Sequence, residues 1–236
     1  MDGTLYTGEG AISGATGALA RLKEREIPYR LVTNTTSRSR AMLVKRLLGY
    51  GFDVQPEQVF TATLAAADVA RDAGYQCVAP FVPEPALEDL TGLDLCGGTS
   101  GRTAGRPPSA VLVGDLGERW TYGLLQEAFE YLISGAALIA LSRDRYWLHE
   151  GRLALDAGPF VAGLEFAAGK NALVAGKPST AFYAAALRSL GIDSPGSAAM
   201  VGDDLWSDVQ GAQRAGLQGW LVRTGKYREA ALAESG

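Results

Sequence analysis

Cysteine and long apolar runs are scarce in this sequence of 236 residues. The two cysteines, Cys77 and Cys96, lack the Cys-x-x-Cys spacing of a metal or redox site, which predicts free buried thiols in a reducing compartment rather than a disulfide. The longest apolar stretch, Leu132 to Leu141, is about half the length of a membrane span. Because no signal peptide is expected either, the sequence predicts a cytoplasmic protein with no membrane partner.

A strong excess of one charge is also missing. The chain has 22 Lys and Arg residues against 26 Asp and Glu residues, a net charge of −4 and a pI near 5.2. Proteins that bind nucleic acid usually carry a basic surface, so no nucleic-acid partner is expected. The single histidine, His149, lies in a polar segment and is not expected to be catalytic. A hydrophobic content of 47% is enough for a folded core.

Short apolar runs alternate with helical patterns along most of the chain. Ala110 to Val113 and Ala198 to Val201 are typical of buried strands, and Ala41, Val44 and Leu47 recur at helical spacing. This alternation predicts an α/β fold, with a largely parallel sheet and helices on both of its faces. Residues 96–108, rich in Gly, Ser, Thr, Arg and Pro, are predicted to form a flexible surface loop.

Four polar clusters follow the expected strands or begin the chain. In an open parallel sheet, ligands bind beyond the carboxyl ends of the strands, so these clusters are expected to meet at one edge. Each has a local alternative, such as capping a helix or favouring its dipole. Together they supply carboxylates, a hydroxyl group and a lysine, which suit Mg²⁺ and phosphoryl chemistry. The clusters are Asp2-Gly3-Thr4, Thr33-Asn34, Lys177 in Gly-Lys-Pro-Ser, and Asp203-Asp204 with Asp208.

In this order the four clusters resemble the four motifs of the haloacid dehalogenase superfamily of phosphohydrolases. Segments such as Leu-Val-Thr-Asn, Gly-Lys-Pro-Ser and Val-Arg-Thr-Gly-Lys-Tyr are most similar to its phospholysine phosphohistidine inorganic pyrophosphate phosphatase branch. The resemblance implies a Rossmann-like parallel sheet core, formed by residues 1–82 and 173–236. It also implies an inserted α/β cap, residues 83–172. The resemblance further implies that the first strand of this core is missing from this chain.

The resemblance also implies catalytic and substrate-binding roles. Asp2 corresponds to the aspartate that protonates the leaving oxygen and later activates water. Thr33, together with the amide of Asn34, is expected to hold the transferring phosphoryl group. Lys177 is expected to pair with the phosphate and the nucleophile.

A Mg²⁺ site is implied by the same motifs. Asp203 corresponds to a direct ligand of the metal, and the main-chain carbonyl of Asp2 to a second contact. Asp208 corresponds to a carboxylate that orients the first ligand, and the adjacent Asp204 could share that work. The cofactor expected from the resemblance is therefore Mg²⁺.

The sequence departs from the family pattern at the nucleophile. In the family motif Asp-x-Asp-Gly-Thr the first aspartate accepts the phosphoryl group, and here Met1 occupies the x position. The nucleophile is therefore expected upstream of Met1 in the complete protein, owing to a misassigned start. A fragment or a true loss of the residue are the alternatives. The chain as written is expected to be inactive and poorly stable.

The function predicted from these features is Mg²⁺-dependent hydrolysis of a small phosphorylated compound through an aspartyl-phosphate. A phosphoamino acid, pyrophosphate, a nucleotide and a sugar phosphate are all candidates, and specificity is expected in the cap. The alternative is a non-catalytic phosphate- and metal-binding protein of the same fold. A phospho-acceptor signalling domain needs no cap, and a dinucleotide-binding enzyme would need a Gly-x-Gly-x-x-Gly segment that is missing. A homodimer formed through the cap is compatible with the resemblance.

Overall fold

The computed structural model describes residues 1–8, 10–103, 105–149 and 152–229. Within these ranges the helices are α1 (Ala15–Glu24), α2 (Arg40–Gly49), α3 (Ala62–Asp72), α4 (Glu84–Leu87), α5 (Tyr122–Ile133), α6 (Ala157–Ala168), α7 (Thr180–Ser189) and α8 (Gly211–Arg214). The strands are β1 (Tyr6–Thr7), β2 (Gly10–Ala11), β3 (Leu31–Thr33), β4 (Val59–Thr61), β5 (Cys77–Phe81), β6 (Asp94–Leu95), β7 (Ala110–Val113), β8 (Ala137–Ala140), β9 (Tyr146–His149), β10 (Arg152–Leu155), β11 (Leu173–Val174), β12 (Ala199–Gly202) and β13 (Gln218–Leu221). The side chain of His149 lies outside the described part of the chain.

The chain divides into two compact units. Unit 1 comprises Met1–Thr33, Arg40–Phe60 and the chain from Lys177 onward, and unit 2 comprises Asn34–Ser39 and Thr61–Gly176. These limits differ from the predicted core of residues 1–82 and 173–236 and the predicted cap of residues 83–172. The difference arises because β5 and β11 form hydrogen bonds within the sheet of unit 2. That unit 2 acts as a cap stays a prediction.

Unit 2 is built around a five-stranded parallel sheet in the order β6-β5-β7-β8-β11. Successive residues of a strand point to opposite faces, and here both sets are buried. Val78 and Leu112 pack on one face with α3, whereas Phe81 and Val111 pack on the other with α5 and α6. The prediction of an α/β fold with a parallel sheet and helices on both faces is confirmed.

Unit 1 contains smaller sheets. Strands β12 and β13 pair in parallel, β3 pairs with β4, and β1 with β2 forms a hairpin. Helix α2 buries Leu43, Val44 and Leu47 along one face, and this face joins a core that includes Tyr6 and Phe52. The Rossmann-like core sheet expected from the sequence is therefore represented here by separate two-stranded sheets.

The longest apolar stretch is divided between two elements. Helix α5 ends at Ile133, a turn follows, and β8 begins at Ala137. Neither element has the length of a membrane span. Across the described ranges, the structure contains no helix that is both long enough and apolar enough to cross a membrane.

The prediction that the cysteines are free thiols is wrong. Cys77 and Cys96 form a disulfide, with their Cα atoms 6.0 Å apart. The parallel pairing of β5 with β6 brings them together, because the amide of Cys96 donates to the carbonyl of Val78, 3.0 Å away. The argument for a reducing compartment loses this support, and a cytoplasmic location stays a prediction.

Candidate active site

Most of the predicted site residues belong to unit 1. Thr33 is the last residue of β3, and Asp203 directly follows β12, so both lie at the carboxyl ends of strands as predicted. Lys177 begins the last segment of unit 1, and Asp208 lies in the π-helical turn Leu205–Gln210.

Asn34 belongs to unit 2, where it lies beside Gly176. A Cβ atom added to Gly176 would be 3.0 Å from the Asn34 side-chain oxygen. Glycine at this position therefore leaves space for the amide side chain. The predicted role of Asn34 in holding a phosphoryl group stays a prediction.

Lys177 and Asp208 form a buried ion pair. The Lys177 Nζ atom lies 2.6 Å from Asp208 Oδ1, and the two side chains are only 9% and 5% exposed. The second carboxylate oxygen of Asp208 accepts the amide of Asp204 at 3.3 Å. The Tyr183 hydroxyl donates to the Ser207 carbonyl at 2.5 Å and lies 3.1 Å from the Asp208 carbonyl. Burial raises the pKa of that hydroxyl, which stays protonated as a donor. Asp208 is thereby held in place against Lys177.

Asp203 is buried between two glycines. Its Oδ1 atom accepts the Thr4 hydroxyl at 2.9 Å, and its Oδ2 atom accepts the Lys226 amide at 2.8 Å. Gly3 and Gly225 both have positive φ angles, of 76° and 56°, and a Cβ atom on either would overlap the carboxylate. Only glycine lets the backbone approach Asp203 this closely.

The segment Thr224–Lys226 is part of this arrangement, and no role for it was predicted. The Thr224 hydroxyl donates to the Gly3 carbonyl at 2.5 Å, while the Lys226 amide bonds Asp203. These bonds join the start of the chain to the loop after β13. The segment Val-Arg-Thr-Gly-Lys-Tyr, which follows a strand and resembles the family, is the signal that could have marked it.

The amino group of Met1 lies in unit 1, near several of the predicted site residues. It lies 3.4 Å from the Val32 carbonyl, and burial lowers its pKa to about 6, an effect that the nearby charge of Lys177 reinforces. The carboxylates of Asp208, Asp203 and Asp2 oppose this shift. Lys177 and the three carboxylates of Asp2, Asp203 and Asp208 all belong to unit 1.

Asp2 and Thr33 differ in exposure. The Asp2 side chain is exposed, so it does not join the buried carboxylates, whereas Thr33 is only 7% exposed. This environment is compatible with the acid and base role expected for Asp2.

Comparison with known proteins identifies the family. A haloacid dehalogenase-like hydrolase model matches residues 1–96, and a HAD-hydrolase-like model matches residues 174–236. Over 230 residues the chain is 40% identical to haloacid dehalogenase-like hydrolase domain-containing protein 2 of Rattus norvegicus, covering 98% of this chain and 84% of the relative. The chain belongs to the haloacid dehalogenase-like hydrolases.

Other relatives agree with this assignment. This haloacid dehalogenase-like hydrolase is 36% identical over 236 residues to human phospholysine phosphohistidine inorganic pyrophosphate phosphatase, covering 97% of the chain and 82% of the relative. Its structure is similar to a p-nitrophenyl phosphatase from Archaeoglobus fulgidus, with a TM-score of 0.87, 26% identity and coverage of 99% and 87%. The resemblance inferred from the four motifs is thus confirmed.

A further solved structure bears on the metal. A glycerol phosphate phosphatase from Mycobacterium tuberculosis, solved in complex with calcium, matches with a TM-score of 0.79 and 29% identity. The match covers 94% of this hydrolase and 63% of that chain. A divalent cation is therefore bound by a protein of this fold.

The carboxylates of this hydrolase would fill only part of a Mg²⁺ coordination shell, and substrate phosphate and water would supply the other ligands. Within the described ranges, no three His, Cys, Asp or Glu side chains cluster to hold a metal ion. Mg²⁺ is usually bound through one or two carboxylates and completes its shell with substrate phosphate and water. Each Asp203 oxygen accepts one hydrogen bond from the protein in the bonds described above and has a second lone pair. Asp203 therefore fits as the principal protein ligand.

Asp204 caps the turn that carries Asp208. Its Oδ1 atom accepts the amides of Trp206 and Ser207, both at 3.0 Å, and its Oδ2 atom accepts the Lys226 ammonium at 3.1 Å. Burial raises the pKa of Asp204, but the bonds from Ser207 and Lys226 outweigh it, and the net pKa is lowered from 3.8. Asp204, which was expected to help orient the metal ligand, thus caps this turn and pairs with Lys226.

We expect Asp204→Asn to lower the melting temperature in a pH-dependent way. A carboxylate with a lowered folded-state pKa stabilises the fold above its unfolded pKa, and this contribution is lost as the pH falls through the folded value. Asparagine keeps the capping acceptor, so only the charge is removed. Above about pH 5 the melting temperature of Asp204→Asn is expected to lie below that of the wild type by its largest amount. Below the pH range in which aspartates usually titrate, the two melting temperatures are expected to be equal. Thermal melts from acid to neutral pH measure it.

The exposed Asp193 supplies the matched control. Asp193→Asn removes the same charge without a capping role, and it is expected to leave the melting temperature nearly unchanged. A constant difference for Asp204→Asn at all pH values would show that its charge is not the stabilising feature.

Proposed function

We propose that this hydrolase is a Mg²⁺-dependent phosphatase that acts on a small phosphorylated compound through an aspartyl-phosphate. The observation that carries the proposal is the buried Lys177 beside Asp208 in the unit that holds Asp203. A buried ammonium group can neutralise a phosphoryl group strongly, because water does not screen its charge. The names of the relatives, which include several phosphatases, support the same chemistry.

The residues of unit 1 divide the work of two chemical steps. In the first, a carboxylate attacks phosphorus, the bond to the leaving oxygen breaks, and Asp2 gives that oxygen a proton. In the second, Asp2 takes a proton from water, which attacks the aspartyl-phosphate and releases phosphate. The attacking aspartate of the family corresponds to a position two residues before Asp2, which the 236 residues do not include.

Binding of the phosphoryl group would involve further residues. Thr33 supplies a hydroxyl donor at the end of β3, and Lys177 supplies positive charge. When bound beside Asp203, Mg²⁺ would stabilise the negative charge that builds up on the phosphoryl oxygens. Asp208 keeps Lys177 oriented, and the hydrogen bonds from Thr4 and Lys226 hold Asp203.

The relatives support a small phosphorylated compound as the substrate but do not select one class of compound. Phosphoamino acids, pyrophosphate, nucleotides and sugar phosphates remain the candidates, because the residues of unit 1 contact only phosphate and metal in this mechanism. Selection among them is assigned to unit 2. A small phosphorylated substrate, a cytoplasmic location and a homodimer are parts of this proposal.

We expect Asp203→Asn to abolish turnover and weaken Mg²⁺ binding together, because the amide removes the negative charge that holds the cation. Phosphate release from p-nitrophenyl phosphate and pyrophosphate is measured with and without Mg²⁺. The assay uses the chain extended by an apolar strand that ends in aspartate two residues before Asp2. Calorimetry with Mg²⁺ alone gives the binding readout.

The control is the extended chain carrying Asp53→Asn, a change at an exposed aspartate. It is expected to keep full turnover. Phosphate and Mg²⁺ binding without hydrolysis in the extended chain would favour the non-catalytic binding protein. Normal turnover by Asp203→Asn would rule out the assigned metal role.

A further inference from the structure

Unit 2 contains a cavity of about 400 Å³ that the proposed phosphatase chemistry does not use. Its volume lies in the range of about 300–1,000 Å³ that is typical of small-molecule sites. All of its lining residues belong to unit 2, so it is described without reference to unit 1.

The cavity lies at the point of the sheet where successive connections between strands run to opposite sides. From β5 the chain runs to β6 on one side, and it then crosses to β7 on the other side of β5. Loops after neighbouring strands diverge at such a switch point, which leaves a crevice at the carboxyl ends where ligands bind. Val82 follows β5, Thr99 follows β6 and Leu116 follows β7, and all three line the cavity.

The wall formed by residues 97–101 is anchored on both sides, although residues 96–108 were predicted to form a flexible loop. The Val82 amide donates to the Thr99 hydroxyl at 3.1 Å, and that hydroxyl donates to the Val82 carbonyl at 2.7 Å. On the other side the Gly98 amide donates to Glu127 at 2.8 Å, and the Tyr131 hydroxyl donates to the same oxygen at 2.7 Å. A preformed wall lowers the ordering cost of binding.

The lining combines apolar side chains with two opposite charges. Leu87, Leu116 and Leu124 provide apolar surface, and Glu84 and Arg119 provide a carboxylate and a guanidinium group. Both charged side chains are exposed, and neither forms an ion pair or hydrogen bond within the described part of the chain. Two opposite charges that line one cavity without pairing can each bind a group on the same ligand.

We propose that this cavity binds an apolar α-amino acid in its zwitterionic form. The ligand carboxylate pairs with Arg119, whose planar fork of donors matches a carboxylate in two parallel hydrogen bonds. The ligand ammonium pairs with Glu84, and the apolar side chain of the ligand packs on Leu87, Leu116 and Leu124. The proposal does not rest on the phosphatase function, since binding is measured without turnover.

The test is calorimetry of the full chain with L-leucine as the probe. Two analogues remove one charge each: 4-methylpentanoate lacks the ammonium group and 3-methylbutylamine lacks the carboxylate. We expect leucine to bind at millimolar concentration or below, and each analogue to bind about tenfold or more weakly, because each leaves one charged partner unused.

Substitutions at Arg119 and Glu84 test whether these residues bind the charged groups of leucine. Arg119→Gln and Glu84→Gln are each expected to weaken leucine binding about tenfold or more. Arg119→Lys is expected to restore part of the loss, because it keeps the charge but not the fork. Arg152→Gln, at an exposed arginine on β10, is the control and is expected to bind like the wild type.

Any of three results would overturn the proposal. Leucine that gives no binding heat at millimolar concentration would show that the cavity is not an amino-acid site. Leucine and both analogues binding equally, or Arg119→Gln binding like the wild type, would show an apolar cavity without charge recognition. Thermal melts establish that each variant is folded before it is titrated.

Discussion

Lys177→Met is expected to lower the free energy of unfolding by about 3–5 kcal/mol, because it leaves the Asp208 carboxylate buried without its partner. The Asp208 side chain is only 5% exposed, and within the described part of the chain the other hydrogen bond to its carboxylate, from the Asp204 amide, is long at 3.3 Å. An uncompensated buried charge cannot recover its hydration. Chemical denaturation at neutral pH, followed by circular dichroism, measures the loss.

The double variant Lys177→Met/Asp208→Leu replaces both members of the buried ion pair. Apolar side chains of similar volume often replace a buried ion pair at little or no cost, so most of the lost stability is expected to return. Lys23→Met breaks an exposed ion pair with Asp53 and is the surface control, with no measurable change expected. Equal destabilisation by Lys177→Met and Lys23→Met would contradict the burial argument.

Gly3→Ala is expected to cost about 3–5 kcal/mol, one of the two largest effects in unit 1. A Cβ atom at Gly3 would overlap the Asp203 carboxylate, and its φ of 76° is strained for any L residue with a side chain. Overpacking and the displaced hydrogen bonds from Thr4 and Lys226 add to that strain. Denaturant titration gives the stability change, and Mg²⁺ calorimetry shows whether Asp203 still binds.

Gly14→Ala is the matched control for this change. Gly14 has a similar φ of 82°, but nothing lies within 4 Å of a Cβ atom placed there. It is expected to cost only about 1–2 kcal/mol, the strain of the left-handed conformation. If the two substitutions cost the same, the close approach of Gly3 to Asp203 would contribute nothing.

Local features of the fold could be predicted from the sequence. The run Ala110 to Val113 coincides with β7, and the helical spacing of Ala41, Val44 and Leu47 falls within α2. Short buried runs and regular spacing depend on neighbouring residues, so they can be recognised without knowing which strands pair. The positions of Thr33 and Asp203 at strand ends follow from the same local reasoning.

Features that depend on pairing could not be predicted in this way. The Cys77–Cys96 disulfide and the assignment of β5 and β11 to unit 2 both depend on which strands are neighbours in the sheet. Apolar runs carry no such information. Alternative partners for a strand look alike in sequence.

Contacts between distant segments were missed for a related reason. The Thr224 hydroxyl bonds the Gly3 carbonyl across 221 residues, and the Lys226 amide bonds Asp203. Asp204 was expected to help orient the metal ligand because it adjoins Asp203, yet it caps a turn and pairs with Lys226. Spacing along the chain does not reveal which acidic side chain already has partners.

The central claim is that Lys177 forms part of a phosphate site in unit 1. Its most direct test is a titration of the 236-residue chain with inorganic phosphate, in which calorimetry and ³¹P NMR detect binding. Lys177→Met/Asp208→Leu serves as the folded comparison, because it removes the buried ammonium group without leaving a charge unpaired. If Lys177 forms a phosphate site, the wild-type chain binds phosphate and the double variant binds it at least tenfold more weakly. Equal binding by both chains, or no binding by the wild type, would contradict the assignment of a phosphate site to unit 1.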